Sequence, residues 1–372
     1  MGGGRLEGDP YGLWVPPPDP RRPEFPYHAG LTLTIQRHNP PPPYGPKYHD
    51  GSARKRSHTP PMREVTQSEW CLQHPPEESP SPHPDTTSHS LRVLDEIACK
   101  DGRGAQVVRC CLDQDESQVY VAKIYDAFYY DFTYYSAPVD VTWVADMDYR
   151  CEAAVYEDLQ QAQVDGLLAP KYYGSWTSDV VALIGSDDLR PVRIVLMEWI
   201  QGISMFSIID KNQVATIPPQ HRLDIFAATM ELYSRLRFHG VSHQDLSPRN
   251  VMLIGSDISS QMPRVILIDF NRSVVTTRPN SKIPNFDKAL PINPITYLWL
   301  SYDLEFHQWI PEPHRSRDQV WKGWLKMTWG DSKEFEPVSG RNRQFYETDE
   351  IEISPPLPDV EPEDPSLVWR RD

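Results

Sequence analysis

The sequence has few cysteines, few basic residues and no long apolar run, and each shortage argues against a class of protein. The five cysteines are odd in number and lack the spacing of metal ligands, which fits reduced thiols. The formal net charge of -15 opposes contact with a phosphate backbone. No run reaches the roughly eighteen apolar residues of a membrane span, and Met1–Gly12 lacks the apolar stretch of a secretory signal. We expect an intracellular protein, cytoplasmic or nuclear, that binds no nucleic acid and no membrane.

Proline is abundant but unevenly placed. Nineteen of the 38 prolines precede Ser90, where almost no apolar periodicity occurs, so residues 1–89 are predicted to form a disordered Pro-rich leader. This leader carries one basic run, Ala53–Arg56, which fits a nuclear-localisation patch or, in our preferred interpretation, a solvated charge cluster. The 42 residues from Asp331 hold twelve acidic and five basic side chains, so residues 331–372 are predicted to form an acidic disordered tail.

Residues 90–330 have normal hydrophobic content and form the predicted folded domain. Three runs in its first part are apolar and rich in β-branched residues, and they predict the strands of an antiparallel meander, Leu91–Ile97, Val107–Leu112 and Val119–Ile124. The aromatic-rich stretch from Asp126 to Trp143 fits neither helical nor strand period. We interpret it as an ordered insertion that packs in the domain, rather than as a base-stacking platform.

The rest of this domain combines helices with short strands. A helix is expected from about Asp148, followed by two strands, near Lys171–Tyr173 and at Arg193–Met197. Apolar residues at every third or fourth position predict a long helix over residues 219–239, which Gly240 ends. Two short apolar runs bounded by polar turns predict buried strands, Val251–Ile254 and Val265–Ile268.

The segment His243–Asn250 contains the main candidates for catalytic residues. It reads His-Gln-Asp-Leu-Ser-Pro-Arg-Asn, and Asp269 follows nineteen residues after Asn250, at the end of an apolar strand. The strand with Val121–Ile124 precedes this segment, and Glu152 lies on the next predicted helix. In this order the motifs resemble the catalytic loop, the metal-binding aspartate and the lysine strand of the protein-kinase-like superfamily. The resemblance covers about residues 90–330 and is greatest to fungal kinase-like proteins of aminoglycoside-phosphotransferase type.

The resemblance implies a fold and a reaction. The fold would be an α+β, two-lobed protein-kinase-like fold. It would have a five-stranded antiparallel small lobe plus one helix over about 90–198, and a mainly helical large lobe over about 203–330. The reaction would transfer the γ-phosphate of ATP to a hydroxyl acceptor with Mg²⁺ as cofactor, and a protein serine or threonine is the favoured acceptor. The alternatives are a small-molecule kinase of aminoglycoside type and a pseudokinase scaffold that binds nucleotide without turnover.

By the same resemblance, the charged residues of the motifs would have separate roles. Lys123 would hold the α- and β-phosphates, with Glu152 fixing its direction. Asp245 would orient and deprotonate the acceptor hydroxyl, and Arg249 would supply a cation near the γ-phosphate. Taken singly, the same residue types could cap turns or form surface ion pairs; their common order along the chain favours the catalytic interpretation.

The resemblance also assigns residues that would bind Mg²⁺, the phosphates and the adenine. Asn250 and Asp269 would ligate Mg²⁺. The glycine turn and the segment between the lobes would bind the phosphates and the adenine through Gly102, Gly104, Glu198, Trp199 and Ile200. This chain departs from the family pattern at two places. Only two glycines remain in the glycine loop, and Asn271 replaces the glycine that follows Asp-Phe in the metal-binding segment.

Overall fold

The structure, a computed structural model, describes residues 14–49, 61–134, 137–285, 287–339 and 342–358. The chain divides into two compact units, one of Met1–Glu157 with Tyr172–Trp199 and one of Asp158–Lys171 with Ile200–Asp372. The basic run Ala53–Arg56 lies outside the described residues. Among the helices of the described segments, none is both long enough and apolar enough to cross a membrane.

Unit 1 contains most of the strands. Its elements in chain order are β1 (Thr32–Arg37), α1 (Gln67–Gln73), β2 (Ser88–Ala98), β3 (Gln106–Leu112), β4 (Tyr120–Tyr125), β5 (Thr133–Tyr134), β6 (Ala137–Pro138), α2 (Val141–Gln161, whose last turn belongs to unit 2), β7 (Tyr172–Val181) and β8 (Leu189–Glu198). Short 3-10 helices cover Pro61–Glu64 and Ala127–Tyr129.

Six of these strands close an antiparallel barrel in the order β1-β2-β3-β4-β8-β7, because β7 also pairs with β1. The closing strand β1 alternates exposed and buried side chains and turns Leu33 and Ile35 into the core. It pairs with β2 through Leu33 and Leu91, and with β7 through Ile35 and Ser178. Closure gives every strand of this sheet two hydrogen-bonded neighbours, so none of the six is an edge strand.

The predicted two-lobed protein-kinase-like fold, with its five-stranded antiparallel small lobe and mainly helical large lobe, is wrong. The described chain instead has the closed six-stranded barrel, several small sheets and seven α-helices. The error arises in the segment predicted to be a disordered leader, whose described part supplies β1, α1 and the buried side chains of Tyr27 and Trp70. Strand β1 is only six residues long and lies among prolines, so its periodic signal is weak.

The core of unit 1 joins the barrel interior to the aromatic insertion. Barrel side chains such as Val108 are fully buried, and so are Phe128 and Tyr129 of the insertion. The hydroxyl of Tyr129 donates to the carbonyls of Pro23 and Glu24, at 3.0 Å each. The insertion therefore packs in the core, as predicted, and it also holds the segment that leads to β1.

The strands predicted from the sequence in unit 1 are confirmed as β2, β3, β4, β7 and β8. Helix α2 begins at Val141 rather than at about Asp148. Asp140 sets this earlier start, because its Oδ1 accepts from the backbone N of Trp143 at 3.2 Å and from Thr142 Oγ1 at 3.0 Å.

Unit 2 combines helices with two small sheets. Its elements are β9 (Ile203–Ser204), α3 (Met205–Asp210), α4 (Pro219–Phe238), β10 (Val241–Ser242), β11 (Val251–Ile254), β12 (Arg264–Leu267), β13 (Val274–Val275), α5 (Ile295–Leu298), α6 (Asp318–Trp329) and α7 (Asn342–Thr348). The sheets are β12-β11-β9 and β10-β13. Short 3-10 helices cover Val214–Thr216, Pro248–Asn250 and Leu304–Phe306. The predicted long helix α4 and the strands β11 and β12 are confirmed.

The described part of the acidic tail packs against other segments of unit 2. Asp349 accepts from Trp299 Nε1 at 3.1 Å and from Lys322 Nζ at 2.7 Å. The backbone N of Glu352 donates to the carbonyl of Gln319 at 3.1 Å. Ordered contacts therefore replace the predicted disorder over residues 342–358, while residues 359–372 lie outside the described part of the chain.

Candidate functional site

His243 anchors the start of the catalytic-loop motif. It follows β10 and is fully buried. Its Nε2 lies 2.9 Å from the carbonyl oxygen of Ile268, and Ser273 Oγ donates to the His243 carbonyl at 3.0 Å. Its ring centroid lies 5.0 Å from that of Phe270. These contacts join the motif to the segment that carries Asp269, so His243 has a structural role.

Both carboxylate oxygens of Asp245 accept hydrogen bonds from the same loop. Arg249 Nη2 donates to Oδ1 at 2.9 Å, and Asn250 Nδ2 donates to Oδ2 at 3.1 Å. The same Asn250 nitrogen donates to the main-chain carbonyl of Asp245 at 2.8 Å. The side chain of Asp245 is 30% exposed. The carboxylate is therefore fixed in direction and still accessible.

Arg249 joins Asp245 to a second carboxylate, that of Glu305. Its Nη1 donates to Glu305 Oε2 at 2.8 Å, while Nη2 donates to Asp245. Glu305 belongs to the 3-10 helix Leu304–Phe306, and its backbone N donates to Asp303 Oδ1 at 2.9 Å. The guanidinium thus lies between two carboxylates and offsets part of their negative charge.

Asn250 and Asp269 lie at the same end of the hairpin that β11 and β12 form. Val251 pairs with Leu267, and the backbone N of Ile268 donates to the carbonyl of Asn250 at 3.0 Å. Asp269, the next residue, has a φ of 65°. Aspartate tolerates this left-handed conformation better than most residues do, so the chain can turn at this point.

This pair of residues offers the oxygen ligands that magnesium prefers. Among the described residues, Asn250 makes its side-chain hydrogen bonds through the amide nitrogen alone, and its amide oxygen makes none. Asp269 contributes a half-buried carboxylate. No group of three or more histidine, cysteine, aspartate and glutamate side chains suited to a metal occurs in the described residues. Two protein ligands fit Mg²⁺, which keeps several waters or phosphate oxygens.

Lys123 and Glu152 form a buried ion pair inside unit 1. Lys123 lies on β4, between Val107 of β3 and Val195 of β8. Its Nζ is 2.5 Å from Glu152 Oε2, and Tyr125 Oη donates to the same oxygen at 2.6 Å. Burial, and then the charge of Glu152, raise the pKa of Tyr125 well above its usual value. Tyr125 therefore stays protonated and acts as a donor to the carboxylate.

The glycine turn between β2 and β3 is held by its neighbours. Gly102 has a φ of 77°, and its backbone N donates to the carbonyl of Tyr129 at 3.1 Å. The buried side chain of Gln106 accepts from the backbone N of Lys100 at 2.8 Å and donates to the carbonyl of Gly104 at 3.0 Å. A Cβ at Gly102 would meet no atom within 4 Å, so the backbone conformation, and not space, requires glycine there.

The three residues assigned to adenine binding lie at and just after the end of β8. Glu198 is the last residue of this strand and pairs with Tyr120 of β4. Trp199 is half-buried, with the guanidinium of Arg109 5.8 Å from its ring centroid. Ile200 is buried, and its carbonyl accepts from the backbone N of Gly202 at 3.1 Å. These backbone positions are consistent with a strand end that becomes a loop.

No protein-family model matches this chain, and no curated protein resembles it at a significant level. Function therefore has to be argued from the geometry of the two clusters. In unit 2 the structure brings Asp245, Arg249 and Asn250 into direct contact. In unit 1 it brings Lys123 and Glu152 into direct contact.

Two contributing residues escaped the sequence analysis. Tyr125 lies two positions after Lys123 on the same strand, so strand periodicity places both on one face of β4, and this signal could have identified it. Glu305 lies 56 positions after Arg249 in an irregular segment, and no periodicity or motif connects them. Only the tertiary structure identifies that contact.

Proposed function

We propose that this protein is a phosphotransferase that moves the γ-phosphate of ATP to a hydroxyl acceptor with the help of Mg²⁺. The observation that carries the proposal is the loop cluster of unit 2. There Asp245 is held by Arg249 and Asn250 at the hairpin end that also bears Asp269. A carboxylate base, a cation and two oxygen ligands are the groups that phosphoryl transfer requires of a protein.

Asp245 is the proposed general base. Each carboxylate oxygen offers two lone pairs, and the two donors on Asp245 leave further acceptor capacity for a hydroxyl proton. Because Arg249 and Asn250 fix its direction, the carboxylate needs little reorganisation when the acceptor arrives. Its partial exposure suits a hydroxyl on a protein side chain, so we favour serine or threonine as the acceptor.

The other residues would bind the nucleotide. Asn250 and Asp269 would hold Mg²⁺, which supplies charge neutralisation at the phosphate oxygens. Lys123 would contact the α- and β-phosphates, and its ion pair with Glu152 fixes the position of its ammonium group. Glu305, the second carboxylate partner of Arg249, keeps the guanidinium beside Asp245. From this position Arg249 would face the negative charge that grows on the transferred group.

We place the protein in the cytoplasm or the nucleus, with ATP and a hydroxyl acceptor as its partners and without nucleic-acid or membrane partners. All five cysteines are described and none is in a disulfide, which suits a reducing compartment. The net charge of -15 supports the exclusion of nucleic acid.

A calorimetric titration with ATP, with and without MgCl₂, tests nucleotide binding. The wild type should bind ATP more tightly with the metal, and ATP at about 100 times its Kd should stabilise the fold by about 2.7 kcal/mol. Asp269→Ala should lose the metal dependence, and Lys123→Met should weaken binding with and without metal. Asp224→Ala, at an exposed position on α4, is the control and should bind as the wild type does. Absence of ATP binding in the wild type would defeat the proposal.

A nucleotide-binding scaffold without turnover is a second candidate, and the glycine turn favours it. The Gly102 N–H already donates to Tyr129, and Gln106 holds the turn through Lys100 and Gly104. A turn held in this way is less able to move onto phosphates during transfer. Metal-dependent ATP binding without label transfer to any acceptor would support this candidate.

A further inference from the structure

Helix α6 has a glycine at its middle, Gly323, and this residue is buried. A Cβ built on Gly323 would overlap the carbonyl oxygen of Glu352, which belongs to the acidic tail. Glycine weakens the interior of a helix relative to alanine, so its presence there needs a reason. Here the reason is space, because the backbone of the tail crosses α6 at this position.

Two carboxylates of the tail each have a cation on α6 or at its start. Asp349 accepts from Lys322 Nζ at 2.7 Å and from Trp299 Nε1 at 3.1 Å. Glu352 forms an ion pair with Arg317, the residue that precedes the first turn of α6. Hydrogen bonds between charged partners are stronger than neutral ones, and they select for a partner of one sign. This face of unit 2 is therefore complementary to an acidic segment.

The tail crosses α6 in an extended form and also binds through its backbone. The backbone N of Glu352 donates to the carbonyl of Gln319 at 3.1 Å, and Ser354 Oγ lies 2.7 Å from His314 Nε2. Residues 350–358 belong to no helix or strand of the described structure. The residues that hold the tail are called the α6 docking site, and they are Trp299, His314, Arg317, Gln319, Lys322 and Gly323.

The docked segment buries little apolar surface. Ile351 is 41% exposed and Ile353 is 80% exposed, whereas the alternate residues Glu352 and Ser354 contact the docking site. Few buried apolar contacts are typical of segments that open locally while the rest of a protein stays folded. The tail is therefore held mainly by polar bonds, as an exchangeable ligand would be, and its release would open the α6 docking site.

We propose that the α6 docking site binds an extended acidic segment of a partner protein, and that residues 349–354 occupy the site as a competitor within the chain. The partner segment would carry two carboxylates three positions apart and a hydroxyl two positions after the second, as Asp349, Glu352 and Ser354 do in the tail. A competitor on the same chain has a high effective concentration, so it sets the affinity that a partner must exceed. This site is separate from the proposed phosphotransfer reaction and does not depend on it.

Fluorescence anisotropy with a labelled synthetic peptide of residues 347–356 tests binding to the full chain. The double variant Asp349→Asn/Glu352→Gln removes two charges from the resident tail and leaves the docking site intact. It should bind the peptide at least about tenfold more tightly than the wild type does, because the competitor is weakened. A peptide with the same two substitutions should bind the double variant at least about tenfold more weakly than the unaltered peptide does. No binding to the double variant, or equal binding of the two peptides, would overturn the proposal.

Two matched glycine substitutions locate the binding site. Gly323→Ala places a methyl group where the peptide backbone has to pass, and alanine is the better helix former, so this change should abolish peptide binding in the double variant while α6 stays intact. Gly255→Ala is the control, since a Cβ there would meet no atom closer than 3.8 Å, and it should leave peptide binding unchanged. Peptide that binds as tightly after Gly323→Ala would overturn the assignment to α6.

Hydrogen exchange followed by mass spectrometry measures the docking of the resident tail in the otherwise wild-type chain. The Glu352 amide donates to Gln319 in the docked tail, so Gly323→Ala should speed its exchange at least about tenfold, and Gly255→Ala should not. Unchanged exchange in Gly323→Ala would show that the tail is not seated on this glycine and would overturn the proposal. A wild-type dimer that Gly323→Ala dissociates would assign the site to the tail of a second copy and would also overturn it.

Discussion

At the residue scale, the buried charged cluster of unit 1 is held together by hydrogen bonds to one carboxylate oxygen of Glu152. Glu152 Oε2 accepts from Lys123 Nζ and from Tyr125 Oη, and all three side chains are buried. A buried carboxylate is stable as an ion only when its partners supply enough hydrogen bonds. The tyrosine therefore supports the ionised state of Glu152 and, with it, the position of the Lys123 ammonium group.

Tyr125→Phe should lower the free energy of unfolding of the chain by about 1–2 kcal/mol, since one buried hydrogen bond to a charged acceptor is lost. Urea denaturation monitored by fluorescence measures the change. Tyr120→Phe is the control on the same strand, because its hydroxyl donates to Gln118 in an exposed position. Its effect should stay within about 0.5 kcal/mol. An equal decrease in the free energy of unfolding of the two variants would show that the hydrogen bond from Tyr125 to Glu152 does not stabilise the fold more than an exposed one.

His314 should make unit 2 sensitive to acid. It is buried, its Nε2 lies 2.7 Å from Ser354 Oγ, and burial lowers its pKa from 6.5 to about 4. Between these two values the unfolded chain binds more protons than the folded one, so acidification destabilises the fold. Above pH 6.5 the titration of His314 no longer makes the stability of the fold depend on pH. The melting temperature should therefore fall as the pH is lowered from 6.5 towards 4.

His314→Gln should reduce this pH dependence, because glutamine can keep a bond to Ser354 and does not titrate. His221→Gln, at a half-buried histidine of α4 whose Nε2 lies 3.1 Å from the carbonyl oxygen of Gln261, serves as the control and should keep the wild-type dependence. Scanning calorimetry across the pH window gives the comparison. A His314→Gln variant with an unchanged pH dependence would assign the acid sensitivity to other groups.

At the scale of elements, the strand β1 decides the architecture of unit 1. It turns Ile35 into the core, completely buried, and exposes its neighbour Thr34. It also pairs with both β2 and β7, so the barrel closes through it. The segment before β2 is therefore part of the folded unit, although half of the prolines of the chain lie there.

Ile35→Ala should lower the free energy of unfolding by about 2–4 kcal/mol, as large-to-small changes in cores do. Thr34→Ala, on the exposed face of the same strand, should change it by less than about 0.5 kcal/mol. Chemical denaturation of both variants gives the two values. If Ile35→Ala costs no more than Thr34→Ala, β1 does not close the barrel in solution.

The sequence predicted those elements whose periodicity is long or whose runs are strongly apolar. Strands β2 to β4 and helix α4 belong to this class, and so does the hairpin of β11 and β12. Strand β1 escaped prediction because six alternating residues among prolines give a weak local signal, and its pairing partner β7 lies more than 130 residues away. In the candidate site, the residues of the loop motif were identified, but Glu305 could be found only from the fold.

At the scale of the whole molecule, each of the two units contains one of the charged clusters. Unit 1 carries the Lys123–Glu152 pair, and unit 2 carries Asp245 with its two donors and the proposed metal ligands. Each cluster is explained by contacts within its own unit. In the proposed reaction Asp245 would act on the acceptor and Asp269 would act through the metal, so substitutions at these two positions should separate chemistry from nucleotide binding.

The most direct test of the proposed function is transfer of label from ATP labelled at the γ-phosphate. The full chain would be incubated with this ATP and MgCl₂, alone, with casein as a source of serine and threonine hydroxyls, and with kanamycin as a polyhydroxylated small molecule. The wild type should move label to an acceptor. Asp245→Asn should lower the rate at least about 100-fold, as loss of a general base does, with ATP binding unchanged. Asp224→Asn, at the exposed position on α4, should keep the wild-type rate. Undiminished transfer by Asp245→Asn, or a wild type from which no label leaves ATP, would contradict the account.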